Sequence, residues 1–180
     1  MTSTPHEEFY YELRVPKDRV AVIIGKQGDV KSRIEKETKT DLDVNSEDGE
    51  VKIHGKDAVM LYLAREIIRA IARGFNPDIA LQLLKHDFGF ELISITDYAR
   101  NQNDYGRLRG RVIGEGGKSR RTIEELTGTF LSVYGKSVGI IGPVEYMTDA
   151  RRAIISLLQG STHASVYRWL EKKRRERRHQ

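Results

Sequence analysis

The chain opens its patterned part at Phe9 to Val15, where aromatic and branched residues crowd together and predict a β-strand. Pro16-Lys17-Asp18 then starts a short helix running to Ile24, with Pro at a position a helix start tolerates. A glycine-bounded loop, Gly25 to Gly28, separates it from a second helix over Asp29 to Thr38, where Val30 and Ile34 lie one turn apart. Asp41-Leu42-Asp43-Val44 alternates as a strand does, Asn45 to Gly49 is turn chemistry, and Glu50 to His54 is the returning strand. Ala58 to Ala72 carries Leu61, Ala64, Ile67, Ile68 and Ile71 on one helical face, and Gly74 stops it. The order strand, helix, loop, helix, strand, strand, helix predicts a three-stranded sheet with three helices on one face, an α+β unit.

The second half repeats that order. Phe90 to Ile95 is the expected first strand, and Thr96 to Asp104 is polar and read as irregular. Tyr105 to Ile113 leads through a short helix into Gly114 to Gly117, and Lys118 to Thr127 follows as a helix. Phe130 to Tyr134 and Ser137 to Ile141 are strands, Glu145 to Leu158 the closing helix, and about His163 to Arg178 a last one. Residues 75–89 are expected to form a short bridging helix that packs the halves together, started at Asn76-Pro77-Asp78. The expected domains are a disordered tail over 1–8, a first domain over 9–74, the bridge over 75–89, a second domain over 90–160 and a basic C-terminal helix over 161–180.

The halves are a repeat and not merely alike in pattern. At an offset of 89, Gly25 falls on Gly114, Gly28 on Gly117, Ile34 on Ile123 and Glu35 on Glu124. Thr38, Thr40, Leu42 and Val44 fall on Thr127, Thr129, Leu131 and Val133. With a connection two residues shorter in the second copy, Val51, Ile53 and Gly55 fall on Val138, Ile140 and Gly142. Chance matching of two loops does not carry apolar, threonine and glycine positions along with it.

Charge changes the picture by its placement. The net of +5 resides in the stretch from Arg168 onward, which has seven basic and two acidic residues; the rest holds 24 of each sign. Any footprint on the body must be local. Arg107, Arg109, Arg111, Lys118, Arg120 and Arg121 surround the second glycine loop against Glu115 alone. Around the first loop Lys17, Arg19, Lys26, Lys31 and Arg33 are diluted by Asp18 and Asp29. A glycine-bounded loop lets another chain approach its backbone closely, and a helix starting behind it favours an anion. Both loops therefore read as clamps on a polyanion, the second the more cationic. The alternative for each is an ordinary helix–helix turn.

Other chemistries are excluded or thin. The chain has no cysteine, hence no disulfide and no thiolate site. His6, His54, His86, His163 and His179 lack metal-ligand spacing, no Ser or Thr sits in a nucleophile elbow, and neither loop continues as a P-loop. Asp97 and Asp104 are the one carboxylate pair placed to hold a cation, a slender argument. No cofactor or metal is expected, nor an enzyme. No apolar run approaches a membrane span and the N-terminus has no signal-peptide pattern, so no membrane partner and a cytoplasmic location are expected. Lys172 to Arg178 reads either as a solvated, fraying helix end or as a non-specific attractor of phosphates. Phe9, Tyr10 and Tyr11 form a possible stacking platform, and Trp169 is expected to pack.

Val22-Ile23-Ile24-Gly25-Lys26-Gln27-Gly28, set between two helices and repeated as Gly110-Arg111-Val112-Ile113-Gly114-Glu115-Gly116-Gly117-Lys118-Ser119-Arg120, resembles the glycine loop of type I KH domains. The pairing of the two loops is similar to that of the two-KH small-subunit ribosome-assembly factors, the Partner-of-NOB (Pno/Dim) family and its archaeal relatives. The intact first loop is of the archaeal type. The resemblance implies two type I KH domains binding single-stranded rRNA near the 3′ end of small-subunit RNA. It implies as partners the endonuclease that trims that end and a translation initiation factor. The residues it points to are Gly25, Lys26, Gln27, Gly28, Lys31 and Arg33 in the first copy. In the second they are Arg111, Gly114, Glu115, Gly116, Gly117, Lys118, Arg120 and Arg121. Two other readings stay open: a general KH protein acting on mRNA or with an RNA-degrading complex, and a protein-interaction scaffold whose loops bind no RNA.

Overall fold

The structure is a computed structural model that describes residues 9–178; the expected tail over 1–8, with His6, and His179 lie outside the described residues. The chain divides into two compact units, residues 1–84 and 85–180. The first contains β1 (Phe9–Arg14), α1 (Lys17–Ile24), α2 (Asp29–Thr38), β2 (Asp41–Val44), β3 (Glu50–Gly55), α3 (Ala58–Ala72) and α4 (Pro77–Ala80). The second contains β4 (Phe88–Ser94), α5 (Gln102–Ile113), α6 (Lys118–Thr127), β5 (Phe130–Tyr134), β6 (Ser137–Pro143), α7 (Val144–Leu158) and α8 (His163–Arg177). Each unit has one antiparallel three-stranded sheet, in the order β1-β3-β2 and β4-β6-β5. The fold is α+β, with the expected strands and helices in both copies.

Period-two alternation sets the sheet faces. In the first sheet Leu42, Val51 and Ile53 are buried beneath α1, α2 and α3. Their counterparts Leu131, Val138 and Ile140 join Leu108, Val112, Ile123, Ile154 and Leu157 in the second core. All five apolar positions named on α3 are buried. Its start is fixed by Asp57, whose carboxylate accepts the N–H groups of Val59 and Met60.

A shared set of polar bonds locks helix to strand in each copy. Thr38 Oγ1 donates to the carbonyl of Ile34 at 2.7 Å and Thr127 Oγ1 to that of Ile123 at 2.7 Å. The hydroxyls of Thr38 and Thr40 meet at 2.7 Å, and those of Thr127 and Thr129 at 2.8 Å. The N–H of Leu42 donates to Glu35 Oε1, and that of Leu131 to Glu124 Oε1, both at 2.8 Å. All four threonines are buried, where an unpaired hydroxyl would cost about 1–3 kcal/mol. The set fixes the separation of α2 from β2 and of α6 from β5.

Three expectations change. The bridge is not one helix: α4 gives way to a 3₁₀ turn over Leu81–Leu84, and both pack on α3 within the first unit. Pro77 starts the helix, but the chain tightens into 3₁₀ geometry from Leu81, with Leu81 and Leu83 buried. The stretch from Thr96 is only partly irregular. A 3₁₀ turn covers Ile95–Asp97, and α5 begins at Gln102, capped by Asn101 accepting the Asp104 N–H. Gly106 and Gly110 lower the helical signal of that segment, and the Asn cap outweighs them. Finally, the basic end of α8 is docked rather than wholly solvated: Val166 and Leu170 enter the second core, and Arg177 bonds to Asp149 and to the carbonyl of Leu126.

Candidate nucleic-acid interface

The two glycine loops have nearly the same backbone. Gly25 has φ 75°, Gln27 φ 55° and Gly28 φ 80°; Gly114, Gly116 and Gly117 have 74°, 56° and 78°. Three left-handed residues in four turn the chain from one helix into the next. Each loop closes on itself, the N–H of Gly28 meeting the carbonyl of Gly25 at 3.4 Å and that of Gly117 the carbonyl of Gly114 at 3.1 Å. A Cβ on Gly25 would lie 2.1 Å from Asp29 Oδ1, and one on Gly114 would lie 2.5 Å from the amide nitrogen of Ser119. The first glycine is thus obligatory in both. The tips, Lys26 and Gln27 in one and Glu115 and Gly116 in the other, face solvent, and nothing crowds Gly28 or Gly116 within 4 Å.

Behind the tips the loops differ in sign. Asp29 Oδ1 accepts the Val30 N–H at 2.8 Å, so a carboxylate already occupies the start of α2. The matching residue in the second copy is Lys118. The next residue, Ser119, is buried, and its hydroxyl is the one buried side-chain polar atom without a partner among the described residues. Since a helix start carries partial positive charge, Asp29 cancels the attraction for an anion at the first loop and Lys118 adds to it at the second.

The remaining expected contacts separate by what else holds them. Arg111 is committed elsewhere: its guanidinium donates to the carbonyl of Leu157 at 3.0 Å and to that of Ser161, pinning α5 to the end of α7. His163 completes this joint by donating Nε2–H to the carbonyl of Arg111 at 2.8 Å. Arg33 pairs with Asp78 at 2.6 Å, away from its loop on the α4 side. Lys31 lies 3.8 Å from Glu35, and Arg120 lies 4.0 Å from Glu124. These are half-buried, loose pairs whose basic member a phosphate can draw away. Arg121 folds back over Gly117, with Nη1 2.9 Å from where a Cβ would stand. Lys26, Lys118, Arg121 and Glu115 have no ion pair among the described residues. Arg107, part of the basic cluster, is held by Asp104. The hydrogen bond from Arg107, aided by the Arg100 N–H, keeps that carboxyl below its ordinary range. Asp104 is therefore an ion-pair partner, and no metal-binding cluster occurs among the described residues.

The apolar residues at the loops and on the elements that follow them divide evenly. Ile34, Leu42, Ile123 and Leu131 are buried, whereas Ile24, Val44, Ile113 and Val133 keep part of their surface open. Ile24 and Ile113 end the helix before each loop; Val44 and Val133 lie on the edge strands β2 and β5. Those four are the ones able to touch a base. Phe9, Tyr10 and Tyr11 are exposed, but Tyr10 stacks on His54 at 6.0 Å and Arg65 lies 5.0 Å over the Tyr11 ring. Trp169 packs against the second core with Arg152 4.8 Å over its ring.

Sequence reasoning missed a second pin. Arg19 donates to the carbonyls of Ile71 and Phe75, both at 2.8 Å, joining α1 to the end of α3 as Arg111 joins α5 to α7. The two arginines sit at different places in the repeat, and their acceptors are backbone carbonyls about fifty residues away, so no spacing announces them.

Comparison with known proteins agrees with this geometry. A KH domain model matches residues 10–70, and a model described as eukaryotic type KH-domain (KH-domain type I) matches residues 89–175. A KH domain-containing protein of Methanocaldococcus jannaschii is 49% identical over 168 residues, covering 91% of this chain and 74% of that protein. The RNA-binding protein PNO1 of Oryzias latipes is 34% identical over 114 residues; the chain spans 47% of its length. Among solved structures, Dim2p from Pyrococcus horikoshii is 45% identical with TM-score 0.84, covering 92% of this chain and 99% of that one. A structure of the a/eIF2alpha-aDim2p-rRNA complex from the same organism matches with 43% identity and TM-score 0.88, over 94% of this chain and 96% of that one. No described helix is long and apolar enough to cross a membrane. The PNO1 relative is named an RNA-binding protein, and both matching models are of KH domains rather than of an enzyme. It belongs to the two-KH-domain Pno/Dim family, whose archaeal representatives it resembles over nearly its whole length.

Proposed function

We propose that this chain binds single-stranded RNA in small-subunit ribosome assembly, that the RNA is the 3′ region of small-subunit rRNA, and that the second glycine loop is the principal clamp. The observation that carries the loop assignment is the sign difference behind two equal bends: Asp29 bonded at the start of α2 and Lys118 unpaired at the start of α6. Gly114 to Gly117 meets the phosphates through its backbone, with Lys118, Arg120 and Arg121 neutralising them. Four nucleotides fit such a grip, with bases along Ile113 and Val133. The first loop, through Lys26, Gln27 and Lys31, contributes a weaker contact. The ribosomal context is supported by kinship with PNO1 and with the Dim2p that was solved together with rRNA. That complex also holds a/eIF2alpha, which supports a translation initiation factor as a partner of this chain. The nuclease that trims the rRNA 3′ end is the further partner the family kinship suggests. We place the protein in the cytoplasm.

Gln27 and Gly116 occupy the same left-handed position of their loops, a conformation that aspartate tolerates. Gln27→Asp and Gly116→Asp therefore place one negative charge at matched points with little strain. Gly116→Asp is expected to weaken binding to a strand copied from the small-subunit rRNA 3′ end by tenfold or more, and Gln27→Asp by less. Equal binding of wild type to scrambled strands would reassign the protein to general RNA binding. Greater sensitivity at Gln27 would reverse the assignment of the clamps.

A further inference from the structure

α8 lies beside α6, and the two helices enclose a groove lined by Thr122 and Glu125 on one side and Glu171, Arg174, Arg175 and Arg178 on the other. The groove is built, not incidental. Arg177, one position away, anchors the helix end to Asp149 and the Leu126 carbonyl, and its guanidinium sits 4.9 Å over the Tyr146 ring. That anchoring turns the neighbouring arginines towards α6. Arg174 reaches Glu125 at only 4.0 Å, with the glutamate side chain 76% exposed, a contact worth little and readily exchanged. Arg175 has only a long bond, at 3.4 Å, to the carbonyl of Glu171.

α6 is also the helix that starts at the second glycine loop. Lys118, Thr122 and Glu125 recur on one face of it, so the groove begins about 6 Å along the axis from Lys118. We infer that the groove between α6 and α8 is an extension subsite that takes the phosphates of the one or two nucleotides adjoining the four held at the loop. This rests on the second loop being the clamp. Arg174, Arg175 and Arg178 supply the charge, and Glu125 turns away as phosphate replaces it. An acidic peptide is the less suitable occupant: among the described residues Leu126 is the only apolar one lining the groove, and it is almost wholly buried, so peptide side chains would find little to pack on.

The test uses the full chain and three labelled strands: a tetranucleotide, and octanucleotides extending it at the 5′ or the 3′ end. The variant is Arg174→Gln/Arg175→Gln/Arg178→Gln, which spares the anchor Arg177; an unchanged melting temperature checks the fold. The wild type should bind one octanucleotide about tenfold more tightly than the tetranucleotide, with a salt dependence steeper by about −0.7 for each of the one or two phosphates held in the groove. The variant should lose that gain and bind the tetranucleotide as before. Equal loss for both lengths means diffuse attraction and overturns the subsite, as does an unchanged gain. A glutamate-rich peptide that binds wild type but not the variant, with octanucleotide affinity unaltered, gives the groove to an acidic protein and overturns it too. Failure of the wild type to bind even the tetranucleotide sinks the clamp itself, an outcome distinct from these.

Discussion

Asp29 and Lys118 stand four residues after the first glycine of their loops and carry opposite charge. The glycines themselves are nearly interchangeable in conformation, so the proposed difference in affinity between the two loops is assigned to this one position. It can be measured with the second loop silenced. In the Gly116→Asp background, Asp29→Lys should raise residual RNA affinity about tenfold, since charges at a helix start are each worth about 0.3–1 kcal/mol and the change reverses one. The same substitution removes the bond to the Val30 N–H and should lower thermal stability slightly. No gain in affinity would mean that Asp29 is not what weakens the first loop. Asp29 was visible in the sequence only as a diluting charge. That its carboxylate lies against Gly25 depends on the helix starting where it does, which no count of charges reveals.

At the scale of elements, the arginine pins decide how the helix before each loop is held. Arg111 looked like part of a basic cluster because its neighbours in sequence are basic; its acceptors, the carbonyls of Leu157 and Ser161, carry no sequence signal. Arg111→Lys keeps the charge but loses the fork. It should destabilise the protein by about 2 kcal/mol, the scale of hydrogen bonds to a charged group. RNA affinity of the folded variant should change less than twofold, measured by chemical denaturation and by titration. A large drop in affinity with no loss of stability would return Arg111 to the interface. α3 was legible to its ends because the Asp57 cap, its apolar stripe and Gly74 agree, while α2 and α6 were placed by the glycine loops that precede them. α5 was not, because two glycines blur a helix that Asn101 nevertheless starts.

For the molecule as a whole, charge placement and repetition were readable, while the docking of the C-terminal helix was not. α8 has few apolar residues, yet Val166 and Leu170 are buried in the second core and Arg177 closes its far end. The basic run is therefore part of a folded unit. Leu170→Ala should cost about 2–5 kcal/mol and reduce amide-exchange protection in α6 and α7. Protection lost only within α8 would show that helix to be an appendage and would weaken the groove beside it.

The paired threonines have an implication for descent. The bonds of Thr38 to Ile34 and Thr40 and of Leu42 to Glu35 recur in the second copy at matching lengths. Losing the hydroxyl of Thr38 or Thr127 leaves that of Thr40 or Thr129 without its partner in the interior, so such single steps are penalised until another change compensates. Such a module drifts as a block or hardly at all. It therefore preserves the trace of a duplication after the charges around the two loops have diverged.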